Sequence, residues 1–482
     1  MNILSIGYAL FVFAGLLIYY IIPQPHRYKW LIVQSFLFVV SYSPFGCVFI
    51  LGTSLIVYRA ALVMPTKSSP RPVLFTAMGA CLAVLFLLKY LASWFPVAQL
   101  SIISKYLYPV GLSYYTLQVI SYLLDVYWGR INPEKSFCKV LLFTSYFPQL
   151  IQGPISKFSE LSKELFKPIS FEWKNVKYGV QRILWGSFKK MVIADRLGVF
   201  VHEAFWNGKN TPTGLTIWLG VFFYTIQLYC DFSGGIDIIH GVSECYGIGL
   251  KENFSQPFFS HSLGEFWRRW HISLGEWMKD YVFYPVSTSN AMAKLKKTLK
   301  KHYNRKTATR VAIAIANIIV FTLVGLWHGS GSNFLAWGLY NGVILALGGM
   351  LEESFVQTKE KLHIRSESIF WHSFCLIRTF IIVMLGNIFD CVTNCGDAIK
   401  LFLRMFDFRN FFSIGIRLPK IGLLMVAILL VVDLLHEKHI SIRHALNRSN
   451  FWVQVIFWTV FIQLIACFGK LSTIGGFLYA NF

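Results

Sequence analysis

Long apolar runs dominate the chain, at about 3–22, 30–44, 47–64, 73–92, 107–128, 140–152, 214–230, 311–327, 333–350, 369–388, 420–435 and 451–468. A helix that crosses a bilayer needs about 20 apolar residues with little or no charge. The longer runs therefore predict spanning helices. Shorter ones, such as 140–152, predict tilted or re-entrant segments. Residues 1–22 lack both a basic start and a small-residue cleavage site, so they predict a retained first span. Two stretches break the pattern: 153–205 is amphipathic and basic, and 232–310 mixes polar and aromatic residues densely. No internal repeat or linker marks a second domain, so residues 1–482 are expected to form a single integral-membrane domain.

Composition narrows this further. Charged residues make up 14% and aromatics 17% of 482 residues, and mean hydropathy is +0.54. Soluble proteins average about 25% charged residues. The values exclude a disordered chain, a disulfide scaffold and almost any soluble enzyme, and the length suffices for about ten or eleven spans. The nine cysteines are odd in number and lie mostly in apolar runs, so no disulfide framework is visible. Cys391 and Cys395 are spaced as one helix turn would space them. The 45 Lys and Arg exceed the 23 Asp and Glu by 22, and they lie between the apolar runs. That placement points to positive-inside loops and anionic lipid rather than nucleic acid. Arg27 and Lys29, then Lys67 and Arg71, then Arg130, Lys135 and Lys139 occupy alternate connections, whereas those at about 45–46 and 93–106 are poor in basic residues. The alternation predicts an amino terminus outside and three cytoplasmic connections. Lys294, Lys296, Lys297, Lys300, Lys301, Arg305, Lys306 and Arg310 form a run without an acid. It reads either as a cytoplasmic loop on anionic lipid or as a site for an acidic donor such as coenzyme A or an acyl carrier protein.

Polar residues inside apolar helices are costly and mark function by default. Tyr114, Gln118, Ser121, Tyr122 and Asp125 recur at helical spacing, which predicts one polar stripe facing a helix seam or a water-filled cavity. Asp231-Phe-Ser-Gly234 is expected to end the preceding apolar run at a glycine turn. Asp237, His240 and Glu244 then share a helix face, as a metal site or, more simply, an ion-paired surface would have them. Trp267, Trp270, Leu274, Trp277 and Tyr281 predict an aromatic stripe on one helix. An interfacial helix explains the tryptophans, but explains less well His271 beside Arg268 and Arg269. His328 closes a nearly pure apolar run between glycines, Val324-Gly-Leu-Trp327-His328-Gly329, where a ligand or another backbone can come close. A buried neutral imidazole is a natural general base near neutral pH.

Taken together, these motifs resemble the membrane-bound O-acyltransferases in their bacterial polysaccharide branch. The resemblance covers about 107–345 and rests on five motifs in the family's order. They are Pro109 to Gln118 with Asp125-Val-Tyr, Phe147-Pro-Gln-Leu-Ile-Gln-Gly153-Pro154, Asp231-Phe-Ser-Gly234, Phe266-Trp-Arg-Arg-Trp-His271 with Ser273-Leu274 and Trp277, and Leu326-Trp-His328-Gly329. The chain departs from the family where Pro285 is followed by Val-Ser-Thr-Ser-Asn290, at Asn341, where histidine is frequent, and at Gly235, where tyrosine is frequent.

The resemblance implies an all-α polytopic membrane fold, a ring of about eleven transmembrane helices with re-entrant and amphipathic helices around a central tunnel. It implies an enzyme of the bacterial cytoplasmic membrane with no bound cofactor. Its acyl donor would be a thioester such as acetyl-CoA or an acyl carrier protein. Its acceptor would be an extracytoplasmic polysaccharide or peptidoglycan, reached with an accessory acetyltransferase or hydrolase-like protein. His328 is then expected to act as general base and His271 to orient a substrate. Asp231, Gln118, Tyr114, Trp270, Trp327, Arg268 and Arg269 would line or support the tunnel, and Lys296, Lys297, Lys300 and Lys301 would meet the donor's phosphates. D-alanyl transfer to teichoic acid is the alternative within the fold. A transporter or flippase without covalent chemistry is the alternative outside it, although the inverted repeats expected of one are not seen.

Overall fold

The computed structural model describes residues 2–91, 109–206, 212–409, 411–470 and 477–478. The connection expected at about 93–106 and the start of the 107–128 run lie outside the described residues. The chain divides into two compact units, one comprising Met1–Lys190, Phe232–Glu252 and Ser472–Phe482, the other Met191–Asp231 and Asn253–Leu471. The described residues are helical almost throughout; their one isolated β-bridge joins Phe254 and Trp270.

In the first unit, helices Ile6–Ile21, Arg27–Tyr42, Gly46–Val63, Arg71–Leu85, Leu112–Tyr127 and Phe137–Ser145 carry the apolar runs. Rings of Tyr8, Phe38, Phe147 and Tyr246 interlock at centroid distances of 5.8–6.1 Å. The run at 140–152 does not continue as one helix. It breaks at Tyr146 (ψ 106°) before the short helix Phe147–Leu150, as Pro148 favours a fresh start. Leu112–Tyr127 is buried along nearly its whole length, not along one stripe. Three of its polar side chains make local bonds, within the helix or to the connection that follows it. Asp125 pairs with Arg130 at 3.2 Å, the Tyr122 hydroxyl accepts the Glu134 N–H at 2.9 Å, and Ser121 donates to the Gln118 carbonyl at 2.7 Å.

The expected turn at Gly234 is not there. One helix, Gly214–Cys245, runs 32 residues through it. The glycine is needed for a close crossing instead. A Cβ on Gly186 would fall 2.4 Å from the Gly234 carbonyl oxygen, and one on Gly179 would fall 2.4 Å from that of Gly241. The helix Trp173–Ser187 therefore meets Gly234–Cys245 backbone to backbone at two points seven residues apart.

In the second unit, Arg305–His328 and Ser332–Met350 form a tight helical hairpin. A Cβ on Gly325 would lie 2.3 Å from the Phe334 carbonyl oxygen, so another backbone fills the space that the glycine leaves beside His328. Helices Ile369–Gly386, Lys420–Glu437 and Phe451–Phe468 also belong to the unit. Phe451–Phe468 buries no residue, and Ile369 and Phe370 are 80% and 85% exposed, an outward apolar face suited to lipid.

Among the described residues six helices are long and apolar enough to cross a membrane, or up to seven if the pair Ser332–Met350 and Glu352–Lys361, bent by 56°, counts as one. Fewer elements qualify than the apolar runs predict. Several are only 16 residues long, such as Ile6–Ile21, Arg27–Tyr42 and Leu112–Tyr127. Lys420–Glu437 includes Lys420, Asp433 and Glu437.

Candidate active site

The two histidines of interest belong to the second unit and share one tryptophan as a neighbour. The His271 ring lies 6.3 Å from that of Trp327, and His328 lies 5.1 Å from Trp327 and 5.2 Å from Trp337. Both are buried, at 3% and 6% exposure. Trp267 packs on Phe321 and Trp337 at 5.2 and 5.5 Å, and Trp270 packs on Phe254 and Phe266 at 5.1 and 5.5 Å. His328 is presented by the end of its helix, where Gly329 turns to extended backbone.

His271 is presented by a break. The aromatic stripe expected on one helix is split: Leu263–Arg269 ends at Trp270, which is extended, and Ile272–Met278 begins after His271. His271 itself takes left-handed backbone angles, φ 46° and ψ 54°, which an L-residue adopts only under constraint. The constraint is pairing with an upstream segment. Phe254 bridges Trp270, the Ser255 N–H donates to the Arg269 carbonyl at 3.0 Å, and the Ile272 N–H donates to the Asn253 carbonyl at 3.0 Å. The Asn253 side chain completes the clamp. Its Oδ1 accepts from the Ser273 N–H at 3.0 Å and the Ser273 hydroxyl at 2.9 Å, and lies 3.3 Å from His271 Nδ1. Burial pushes the His271 imidazole down to about 3, so the ring is neutral at any physiological pH.

The arginines of the same motif divide. Arg268 is exposed. Arg269 is tied to Glu437 at 2.6 and 3.1 Å and to Glu265 at 2.7 Å. Arg269 thus staples its helix to Lys420–Glu437 within the unit, and its guanidinium is already occupied. On the same partner helix Asp433 accepts from the Tyr229 hydroxyl at 3.0 Å, and the Tyr229 ring lies 6.1 Å from Trp270. Asp231 is fully buried on Gly214–Cys245. Tyr114 and Gln118 are buried in the first unit.

Of the basic run, Lys306 is paired with Glu353, and Arg310 lies 3.3 Å from Glu352 and 3.0 Å from Glu353. Lys296 donates to the Ser287 carbonyl at 3.2 Å. Lys297, Lys300 and Lys301 are exposed on and just beyond the amphipathic helix Asn290–Leu299. Asp237 and Glu244 share a face as predicted, and Arg182 binds both, at 3.0 and 3.1 Å. Asn253, Tyr229, Trp337, Asp433 and Glu437 escape the sequence reading. Each acts through a partner distant in sequence, and none stands in a spacing pattern.

A family model described as MBOAT, membrane-bound O-acyltransferase family, matches residues 134–300. A probable alginate O-acetylase of Pseudomonas putida is 30% identical over 439 residues, which cover 88% of this chain and 83% of that protein. The chain belongs to the membrane-bound O-acyltransferase family. It is also similar to a peptidoglycan O-acetyltransferase of Helicobacter pylori, at 30% over 321 residues (61% of this chain, 56% of that protein). A teichoic acid D-alanyltransferase of Bacillus subtilis is 29% identical over 248 residues (51% of this chain, 60% of that protein). Membership in this acyltransferase family and the apolar helices make the chain a polytopic membrane enzyme and set aside the transporter reading.

Proposed function

We propose that the chain moves an acyl group, acetyl in the first instance, from a cytoplasmic thioester donor such as acetyl-CoA or an acyl carrier protein toward hydroxyls of an extracytoplasmic polysaccharide or peptidoglycan. It does so from the bacterial cytoplasmic membrane with its amino terminus outside, and hands the group on through an accessory acetyltransferase or hydrolase-like protein. The observation that carries the reading is the pair of buried histidines that both pack on the Trp327 ring, in a chain that is similar to an O-acetylase along most of its length. His328 takes the proton from the attacking hydroxyl, whose oxygen bonds to the thioester carbonyl carbon. The C–S bond breaks, and the proton passes to the departing thiolate, leaving an ester and a thiol. His271 orients a substrate. Trp270 and Trp327 keep the surroundings apolar, which strengthens each hydrogen bond made there.

Mild alkali releases envelope esters, and their mass tests the reading. Acetate that depends on this chain supports it. D-alanine would favour the second reading, for which the similarity to the Bacillus subtilis protein speaks. No dependent ester would sink both.

Lys297, Lys300 and Lys301 serve the donor's phosphates in this reading. Reversing all three to glutamate is expected to raise the KM for acetyl-CoA roughly ten-fold, at about 0.2–1 kcal/mol per exposed charge pair, with kcat little changed. An unchanged KM at low salt would leave the three lysines to anionic lipid.

A further inference from the structure

We infer that Asn253 is a positioning residue that holds His271 as the Nδ1–H tautomer, so that the imidazole presents a bare Nε2 lone pair to the substrate. The inference deepens the acyl-transfer reading above and rests on it for the importance of His271.

The identity of the atoms carries the argument. Asn253 Oδ1 and Nδ2 look alike by shape alone, but the Ser273 backbone N–H, which can only donate, points at one of them from 3.0 Å. That atom must be the carbonyl oxygen. The Ser273 hydroxyl, 2.9 Å away, donates to it as well. His271 Nδ1 lies 3.3 Å from the same oxygen, and two lone-pair-bearing atoms in a buried site would repel. Nδ1 therefore carries the hydrogen. The ring is neutral, as its burial requires, so Nε2 carries none. The left-handed backbone of His271 serves the same end. It is enforced by the Asn253 carbonyl on the Ile272 N–H and by the Phe254–Trp270 bridge, and it turns the imidazole onto the carboxamide.

The chemical consequence is a division of roles. An Nε2–H would make His271 a hydrogen-bond donor to a developing oxyanion. A bare Nε2 makes it an acceptor, suited to an O–H or N–H of the bound substrate. One backbone–side-chain clamp thus decides which half of the reaction this histidine can assist.

The test uses the full chain in membranes or detergent, with Asn253→Ala, Asn253→Asp and His271→Gln. Aspartate keeps the acceptor oxygen. The amide Nδ2 it replaces makes no hydrogen bond among the described residues. We expect Asn253→Ala to lose roughly a hundred-fold or more in kcat/KM at unchanged protein level, and Asn253→Asp to recover most of that loss. With nitrogen-15 histidine, the signal that His271→Gln removes should show Nδ1 protonated and Nε2 bare in the wild type. If Asn253→Ala does not fold, the wild-type signal and the aspartate variant still decide. A His271 protonated at Nε2, or full activity of Asn253→Ala, would overturn the inference. Full activity of His271→Gln would instead strike the functional reading of His271, while the tautomer signal from the wild type stands by itself.

Discussion

Replacing His328 with alanine is expected to abolish ester formation while leaving the protein in the membrane. The imidazole sits at the last residue of its helix, against the rings of Trp327 and Trp337. The helix cap is made by the Gly329 N–H on the Gly325 carbonyl, which does not need the side chain. Loss of a general base costs about 10²–10⁴ in rate, enough to bring envelope esters to background. His328→Gln retains bulk and hydrogen bonding but cannot take up a proton, and is expected to fail equally. That outcome separates base catalysis from packing. His271→Ala should lower transfer severely. The readout is ester released by mild alkali per unit of membrane-embedded protein. Wild-type ester in His328→Ala cells would remove His328 from the chemistry.

Much of this site was legible in the residue pattern, for a local reason. The apolar run that ends in Trp327-His328-Gly329 does end its helix there, at Gly329, where the backbone becomes extended. The dense motif at 266–277 likewise lies in the site. Its backbone was not legible. Trp267, Trp270, Leu274 and Trp277 fit one continuous helix by spacing, and only pairing with Asn253–Ser255 breaks it. Such pairing is a tertiary term that no window of sequence contains. Gly234 misled in the opposite sense. A glycine after an acid reads as a turn, but here it is the thin point of a helix crossing. The span number suffers similarly. Charges such as Asp433 and Glu437 disqualify Lys420–Glu437 by composition, although within the unit they are bound to Tyr229 and Arg269.

Arg182→Met is expected to destabilise the first unit by about 3–5 kcal/mol, the cost of stranding buried charge by removing its partner. Arg182 is the hub of a network that the shared face of Asp237 and Glu244 only half reveals. Its guanidinium bonds Asp237 at 3.0 Å, Glu244 at 3.1 Å and Glu252 at 2.5 and 2.8 Å, and Lys189 bonds Asp237 at 2.6 Å. Arg182 thus serves three carboxylates from a side chain only 13% exposed. Methionine keeps the bulk and removes the cation that Asp237, Glu244 and Glu252 share. The glycine crossing amplifies the loss. Arg182 stands between Gly179 and Gly186, where the helices touch backbone to backbone and leave little room for rearrangement. Lysine at 182 restores charge but not the fork that reaches three carboxylates, so it should rescue only part. Pairing Arg182→Met with Glu244→Gln removes one of the carboxylate charges that Arg182 held and should recover stability that neither change alone predicts. The measurement is thermal unfolding in detergent together with the amount of protein in the membrane, where a loss of even 1–2 kcal/mol changes abundance several-fold, roughly. An Arg182→Met protein that accumulates and unfolds like the wild type would mean that water, not Arg182, balances these carboxylates.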